Sequence, residues 1–201
     1  MDPDGLTYTA TPGILENLRI LPENYKTRES VPYEFSFETK NALFVGSDLA
    51  IIVPAEIDVD PLALRVTALA SLRLAGTIQP TWDAATRTIQ LDGAFDEALP
   101  APSLVRFKVD SGLTNSYSTD PITPIRVQTR DPQGDVIDEG SSEAIEFTAN
   151  EIASIEATAC ADKQTASTTE EVCTYRLKFS IGAQYPILSG SKIEVELPDD
   201  L

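Results

Sequence analysis

The residue types that do chemistry are scarce in this chain, and their scarcity is informative. Its 201 residues include no histidine and two cysteines, Cys160 and Cys173. Without histidine, neither a Ser–His nor a Cys–His nucleophilic pair can be assembled. A C-x12-C spacing cannot supply a structural zinc site either, since that needs four ligands. The two cysteines can instead join each other across the polar stretch "ADKQTASTTEEV". In the chain-entropy model such a disulfide contributes roughly 3 kcal/mol, and its presence would imply an oxidising compartment. Two free buried thiols are the alternative.

Carboxylates are abundant but poorly placed for catalysis. Asp58 and Asp60 could serve a glycosidase as an acid–base pair, yet they follow a strand end in a loop of turn formers, where a solvated turn is the simpler reading. "DPQGD" (131–135) holds one glycine and reads as a tight turn rather than a phosphate cradle. Hard cations take about six to eight oxygen ligands. The residues with which the chain could hold calcium are Asp58, Asp60, Asp131 and Asp138, together with Asp199 and Asp200. None of these clusters matches an EF-hand loop, and acidic turns that keep the protein soluble are the alternative. Tyr117, in the loop "TNSYSTD", is the candidate ligand contact. No catalytic residue is assigned, and the chain is read as a non-enzyme.

Composition narrows the function classes. There are 32 acidic against 15 basic residues, a net charge of −17, which repels phosphate backbones and anionic lipid surfaces. Nucleic acid is therefore not an expected partner. A hydrophobic share of 42% is enough for a folded core. No apolar run reaches the roughly 20 residues of a membrane span; even "LALRVTALASLRL" is interrupted by Arg65 and Arg73. The opening "MDPDGLTYTATPG" has an acidic start and lacks the apolar stretch of a secretory signal.

The organisation shows in a repeat. Setting "VPYEFSFETKNALFVGSDLAIIVP" against "CTYRLKFSIGAQYPILSGSKIEVELP" puts Tyr33 on Tyr175, Phe35 on Leu177 and Phe37 on Phe179, each 142 positions apart. Gly46-Ser47 then falls on Gly190-Ser191 and Pro54 on Pro198, at an offset of 144; a loop absorbs the extra two residues. "LTYTA" (6–10) matches "IEFTA" (145–149) in the same way. The chain is thus expected to hold the last strand of a preceding repeat (1–10), one complete repeat (11–148) and the N-terminal part of a further, truncated one (149–201). Short linkers are expected at 9–13 and 148–151. A period of about 140 residues suits beads on a string rather than a solenoid.

Within each repeat the apolar period is two. Tyr33, Phe35 and Phe37 alternate with Glu34, Ser36 and Glu38, which places the aromatics on one face of a strand. The run 48–53, ended by Pro54, reads as a buried strand. Leu64, Val66, Ala68, Ala70, Leu72 and Leu74 fit a strand better than the helical stripe they also permit. The stretch 77–93 reads as a hairpin with Trp82 facing inward and its turn near Asp83. Further strands are expected at 104–109, 125–129 and 144–148. This is an all-β chain of tandem immunoglobulin-like antiparallel β-sandwiches.

The stretch 104–140 carries a "G-x-T-N-x-x-S" turn (Gly112, Thr114, Asn115, Ser118) followed by "D-x-x-G-x-x-I-D" (Asp131, Gly134, Ile137, Asp138). With the "Y-x-F-x-F … G-S-x-I" pattern near both ends, it resembles repeats of very large cell-surface proteins of ciliates and related protists. It departs from them at Ser116, where those turns usually have proline, and at an extra Ser111. The resemblance implies an extracellular structural protein, a rod, surface coat or filamentous appendage, whose partners are other copies or neighbouring repeats. It brings no catalytic residue. A second resemblance, to adhesin domains of bacterial surface proteins, implies a module that binds a glycan or protein. Some adhesins carry a Lys–Asn isopeptide bond, but alternation turns Lys178 toward solvent.

Overall fold

Tyr33, Phe35 and Phe37 lie on one face of a strand and are fully buried, while the residues between them are half-buried on the other. The computed structural model to which this strand belongs describes residues 11–70, 79–150, 154–158, 176–180, 192, 194 and 195. In chain order its strands are β1 (Gly13–Ile14), β2 (Glu16–Pro22), β3 (Tyr33–Glu38), β4 (Asp48–Ile52), β5 (Asp58–Val59), β6 (Arg65–Ala70) and β7 (Thr81–Asp83). They continue with β8 (Thr88–Leu91), β9 (Leu104–Ser111), β10 (Leu113–Thr114), β11 (Arg126–Arg130), β12 (Val136–Ser141), β13 (Ser154–Thr158) and β14 (Arg176–Ser180). No helix occurs among the described residues. The chain divides into two compact units, Met1–Ala149 and Asn150–Leu201.

In the first unit, six strands form one sheet in the order β1-β12-β11-β4-β8-β7 and four form another in the order β2-β3-β9-β6. A short ribbon pairs β5 with β10. The inward residues of both sheets meet in a single core: Phe35, Phe37 and Phe107 from the smaller, Leu49, Ile51 and Ile89 from the larger. Phe35 lies opposite Phe107 in the ladder, and their rings stack 4.8 Å apart at an interplanar angle of 6°. Two sheets that share one core in this way make a β-sandwich.

One run of sequence ties both sheets together. Gly13 and Ile14 pair in parallel with Asp138 and Glu139 at the edge of the larger sheet. After Leu15 alone, the chain crosses and pairs antiparallel with β3 at the edge of the smaller one. The alternation of Leu18, Ile20 and Pro22 could have revealed β2 in the sequence, but β1 is too short for a pattern to show.

The strand reading of 64–74 holds where it can be followed, as β6; Leu72 and Leu74 lie outside the described residues. The hairpin is present as β7 and β8, with Trp82 packed partly buried against the core. The expected strand at 144–148 is corrected. Ile145 and Phe147 are buried, so the alternation is genuine, but the backbone there joins no ladder. Ile145 O accepts from Ile122 N at 3.0 Å, and Thr148 exchanges bonds with Tyr25 and Thr27 at 2.7 and 2.9 Å. The last strand of the larger sheet in chain order is β12, which begins eight residues earlier and lies between β1 and β11. Alternation records which side chains face the core, not whether another strand lies alongside. Two linker boundaries change for the same reason: Gly13 is inside β1, and Thr148 is bonded into the first unit.

In the second unit, β13 and β14 pair antiparallel, with Ala157 opposite Leu177 and Ile155 opposite Phe179. In the sequence repeat Leu177 corresponds to Phe35; Leu177 is opposite Ala157, and Phe35 is opposite Ile20. The difference is a bulge in β2 between Glu16 and Arg19; the β13–β14 ladder runs without a shift.

Candidate functional site

The loop after β10 carries Asn115 and Tyr117 against the β2–β3 connection and Asp58. Gly112 has φ +92°, and a Cβ there would come within 2.9 Å of the Leu64 backbone, so only glycine fits. The turn it makes delivers Asn115 to the interior. The buried Asn115 amide donates to the carbonyls of Asn24 at 3.1 Å and Lys26 at 2.7 Å, and its oxygen accepts from the Tyr33 hydroxyl at 2.5 Å. One side chain therefore pins the β2–β3 connection to the core strand that follows it. Burial, and then the neighbouring Tyr25, push the Tyr33 phenol well above its ordinary pKa.

Tyr117 stands two residues beyond that pin and is 46% exposed. The Arg28 guanidinium lies over its ring, 4.5 Å from the centroid, a cation–π arrangement. Its hydroxyl donates to the Asp58 carboxylate. That bond first, and burial second, raise the Tyr117 phenol above its ordinary pKa. The group is an exposed ring held in a fixed orientation by a cation and a carboxylate, and sequence reasoning had found Tyr117 and Asp58 but not Arg28. No local signal marks Arg28; its neighbours are set by the fold.

Of the other candidate aspartates, Asp60, Asp131 and Asp138 are occupied by the backbone, and Asp199 and Asp200 lie outside the described residues. Asp60 accepts from Leu62 N at 3.0 Å. Asp131 accepts from Gln133 N and Asp135 N, each at 2.9 Å, and Gly134 N returns a bond to Asp131 O at 2.9 Å, closing the turn. Asp138 is fully buried. One of its oxygens accepts from the backbone N–H of Lys40 and of Asn41, both at 3.0 Å, and the other from the Asn41 amide at 2.7 Å. A Cβ on Gly13 would lie 2.1 Å from that second oxygen, so β1 approaches β12 this closely only through glycine. Asp58 and Asp131 sit toward opposite ends of β4, whose Asp48 pairs with Arg130 and Ile52 with Arg126. Among the described residues no group of three or more His, Cys, Asp or Glu side chains is gathered to hold a metal ion. Cys160 and Cys173 lie outside the described residues. Lys178 is exposed and pairs with Glu156 at 3.5 Å.

Two features escaped sequence reasoning. Arg87 reaches across from the β7–β8 turn and donates to the carbonyls of Val53 at 3.1 Å, Pro54 at 2.9 Å and Ile57 at 2.5 Å, with its guanidinium 5.5 Å from the Trp82 ring. A groove of about 680 Å³ runs between β2 and residues 142–146.

No family model and no curated protein matches the chain. Among solved structures it is similar to the crystal structure of BslA, a bacterial hydrophobin, at 11% identity and a TM-score of 0.40, over 66% of this chain and 98% of that one. The functional reading rests on the chain's own residues. No helix among the described residues is long and apolar enough to cross a membrane.

Proposed function

We propose that the chain is a non-catalytic structural repeat protein of an extracellular array, in which tandem immunoglobulin-like sandwiches build a rod, surface coat or filamentous appendage. Its partners in that array are other copies of itself or neighbouring repeats. The observation that supports this reading is the sequence repeat between 31–54 and 173–198, whose matched residues Phe35 and Phe37, Leu177 and Phe179 lie in β3 and β14, each paired antiparallel with the strand before it. A tandem array requires such a repeat of both sequence and strand type. Asp131 and Asp138 support the non-catalytic part, because carboxylates that accept two and three N–H donors inside a closed turn and a buried site are engaged in holding the fold. A disulfide between Cys160 and Cys173 belongs to the same reading.

Sequencing the native transcript across both ends of these 201 residues tests it. The reading frame is expected to continue into further Y-x-F-x-F and G-S-x-I-x-V copies; a transcript without them removes the array. A second reading, an adhesin-type module that recognises a glycan or protein, is favoured by the fixed and exposed ring of Tyr117. Tyr117→Ala separates the two. Under the array reading assembly and surface attachment both persist, whereas lost attachment with intact assembly gives the binding module.

A further inference from the structure

The two edges of the sandwich that meet beside β2 are fastened at both ends and open in the middle. At one end Leu15 N donates to Glu139 O at 3.0 Å; at the other Thr148 N donates to Tyr25 O at 2.7 Å and Thr27 N to Thr148 O at 2.9 Å. Between these points no backbone hydrogen bond joins 17–21 to 142–146. β2 is the terminal strand of its sheet, so its outer backbone edge faces the groove, whereas the irregular segment opposite already uses Ser142 N and Ile145 O in bonds to Ile125 and Ile122.

We propose that this groove is a docking site for one extended peptide strand in which basic residues alternate with apolar ones. Five residues of wall on each side correspond to about 17 Å of extended chain at a strand's rise of roughly 3.3 Å per residue, room for a single short strand added to the β2 edge. Ile20 and Ile145, 5% and 7% exposed, form an apolar floor, and Leu21 and Tyr25, 51% and 41% exposed, form an apolar rim. Alternate side chains of the incoming strand would rest on that floor. The remaining side chains meet the charged wall, where Glu143 and Glu146 are exposed. Neither forms an ion pair with another described residue. Arg19 is the single cation of the lining, so the groove is acidic on balance. The chain's net charge of −17 adds to the attraction for a basic peptide over an acidic one. This inference does not rest on the array reading, and the transcript test leaves it untouched.

The probe is a six-residue peptide of alternating lysine and valine, with alternating aspartate and valine as its control, titrated into the isotope-labelled full chain. The lysine peptide is expected to give saturable amide shifts confined to 17–21, 142–146 and their immediate neighbours. Affinity should fall at least tenfold for the aspartate peptide and for the Glu143→Lys/Glu146→Lys chain, whose two exposed substitutions leave the remaining spectrum in place. Shifts that are absent, unsaturable or centred elsewhere overturn the proposal. Equal affinity for the two peptides overturns the charge assignment on which it depends.

Discussion

Asp138 illustrates how a residue that looks like a ligand becomes part of the scaffold. Its carboxylate accepts three N–H donors from Lys40 and Asn41 in a fully buried position. Asp138→Asn replaces one acceptor oxygen with an amide that points donors at donors. Leaving buried donors of a charge-assisted set unsatisfied is worth about 2–3 kcal/mol, and the urea midpoint of the first unit should fall accordingly. Tyr33 makes a pH prediction possible. Its hydroxyl is buried and bonded to Asn115, and its pKa in the folded protein lies above the ordinary value. Above about pH 10, where an exposed phenol titrates, the unfolded chain has lost a proton that the folded chain keeps. The folded state then binds more protons, so stability falls as pH rises. Tyr33→Phe should cost roughly 1 kcal/mol at neutral pH and flatten the alkaline loss; urea melts at pH values of about 7 and 11 report both.

Connections between strands carry as much of the specificity as the strands. Arg87 holds three carbonyls of the segment between β4 and β5. A lysine places all its donors on one nitrogen and cannot reproduce the spread from Nε to Nη2 that serves the three. Arg87→Lys should therefore destabilise by about 1–3 kcal/mol through the lost charge-assisted bonds, and amide exchange should quicken first at 53–57. The same segment includes Glu56, whose carboxyl is held below its ordinary pKa chiefly by the bond from Thr123 N. A depressed folded-state value means stability that is present above the usual glutamate range and lost as pH falls through the folded one. Acid should loosen the contact between residues 56 and 123, and Glu56→Gln should remove that pH dependence; the exchange rate of the Thr123 amide between about pH 3 and 6 measures it.

At the scale of the molecule, the buried apolar residues of the core run from Leu15 to Phe147 and so fall within Met1–Ala149. That fragment is expected to fold cooperatively by itself, seen as a single thermal transition with near-ultraviolet dichroism. The four described candidate calcium aspartates are spread along the sandwich, and Asp60, Asp131 and Asp138 already accept backbone N–H groups. A chelator should leave the melting temperature of the full chain unchanged; a fall of several degrees would show that these carboxylates, or ones beyond them, bind a cation.

The all-β class and the inward faces were legible in the sequence by itself, because alternation is a local property of a pleated strand: Phe35 and Phe37 could face nowhere but the core once Glu34 and Glu38 flanked them. Gly112 and Asn115 were legible as residues of a turn, but not the burial of the Asn115 amide against Asn24, Lys26 and Tyr33. Only the tertiary structure decided which strands pair and which polar groups are used up in pairing. Alternation at 144–148 gave no ladder, and Asp138 became a buried acceptor rather than a free carboxylate. Its partner Asn41 lies 97 positions away in the chain, and the partner of Tyr33 lies 82 away. Contacts of that range depend on how the two sheets close on each other, and no window of sequence contains both halves of the bond.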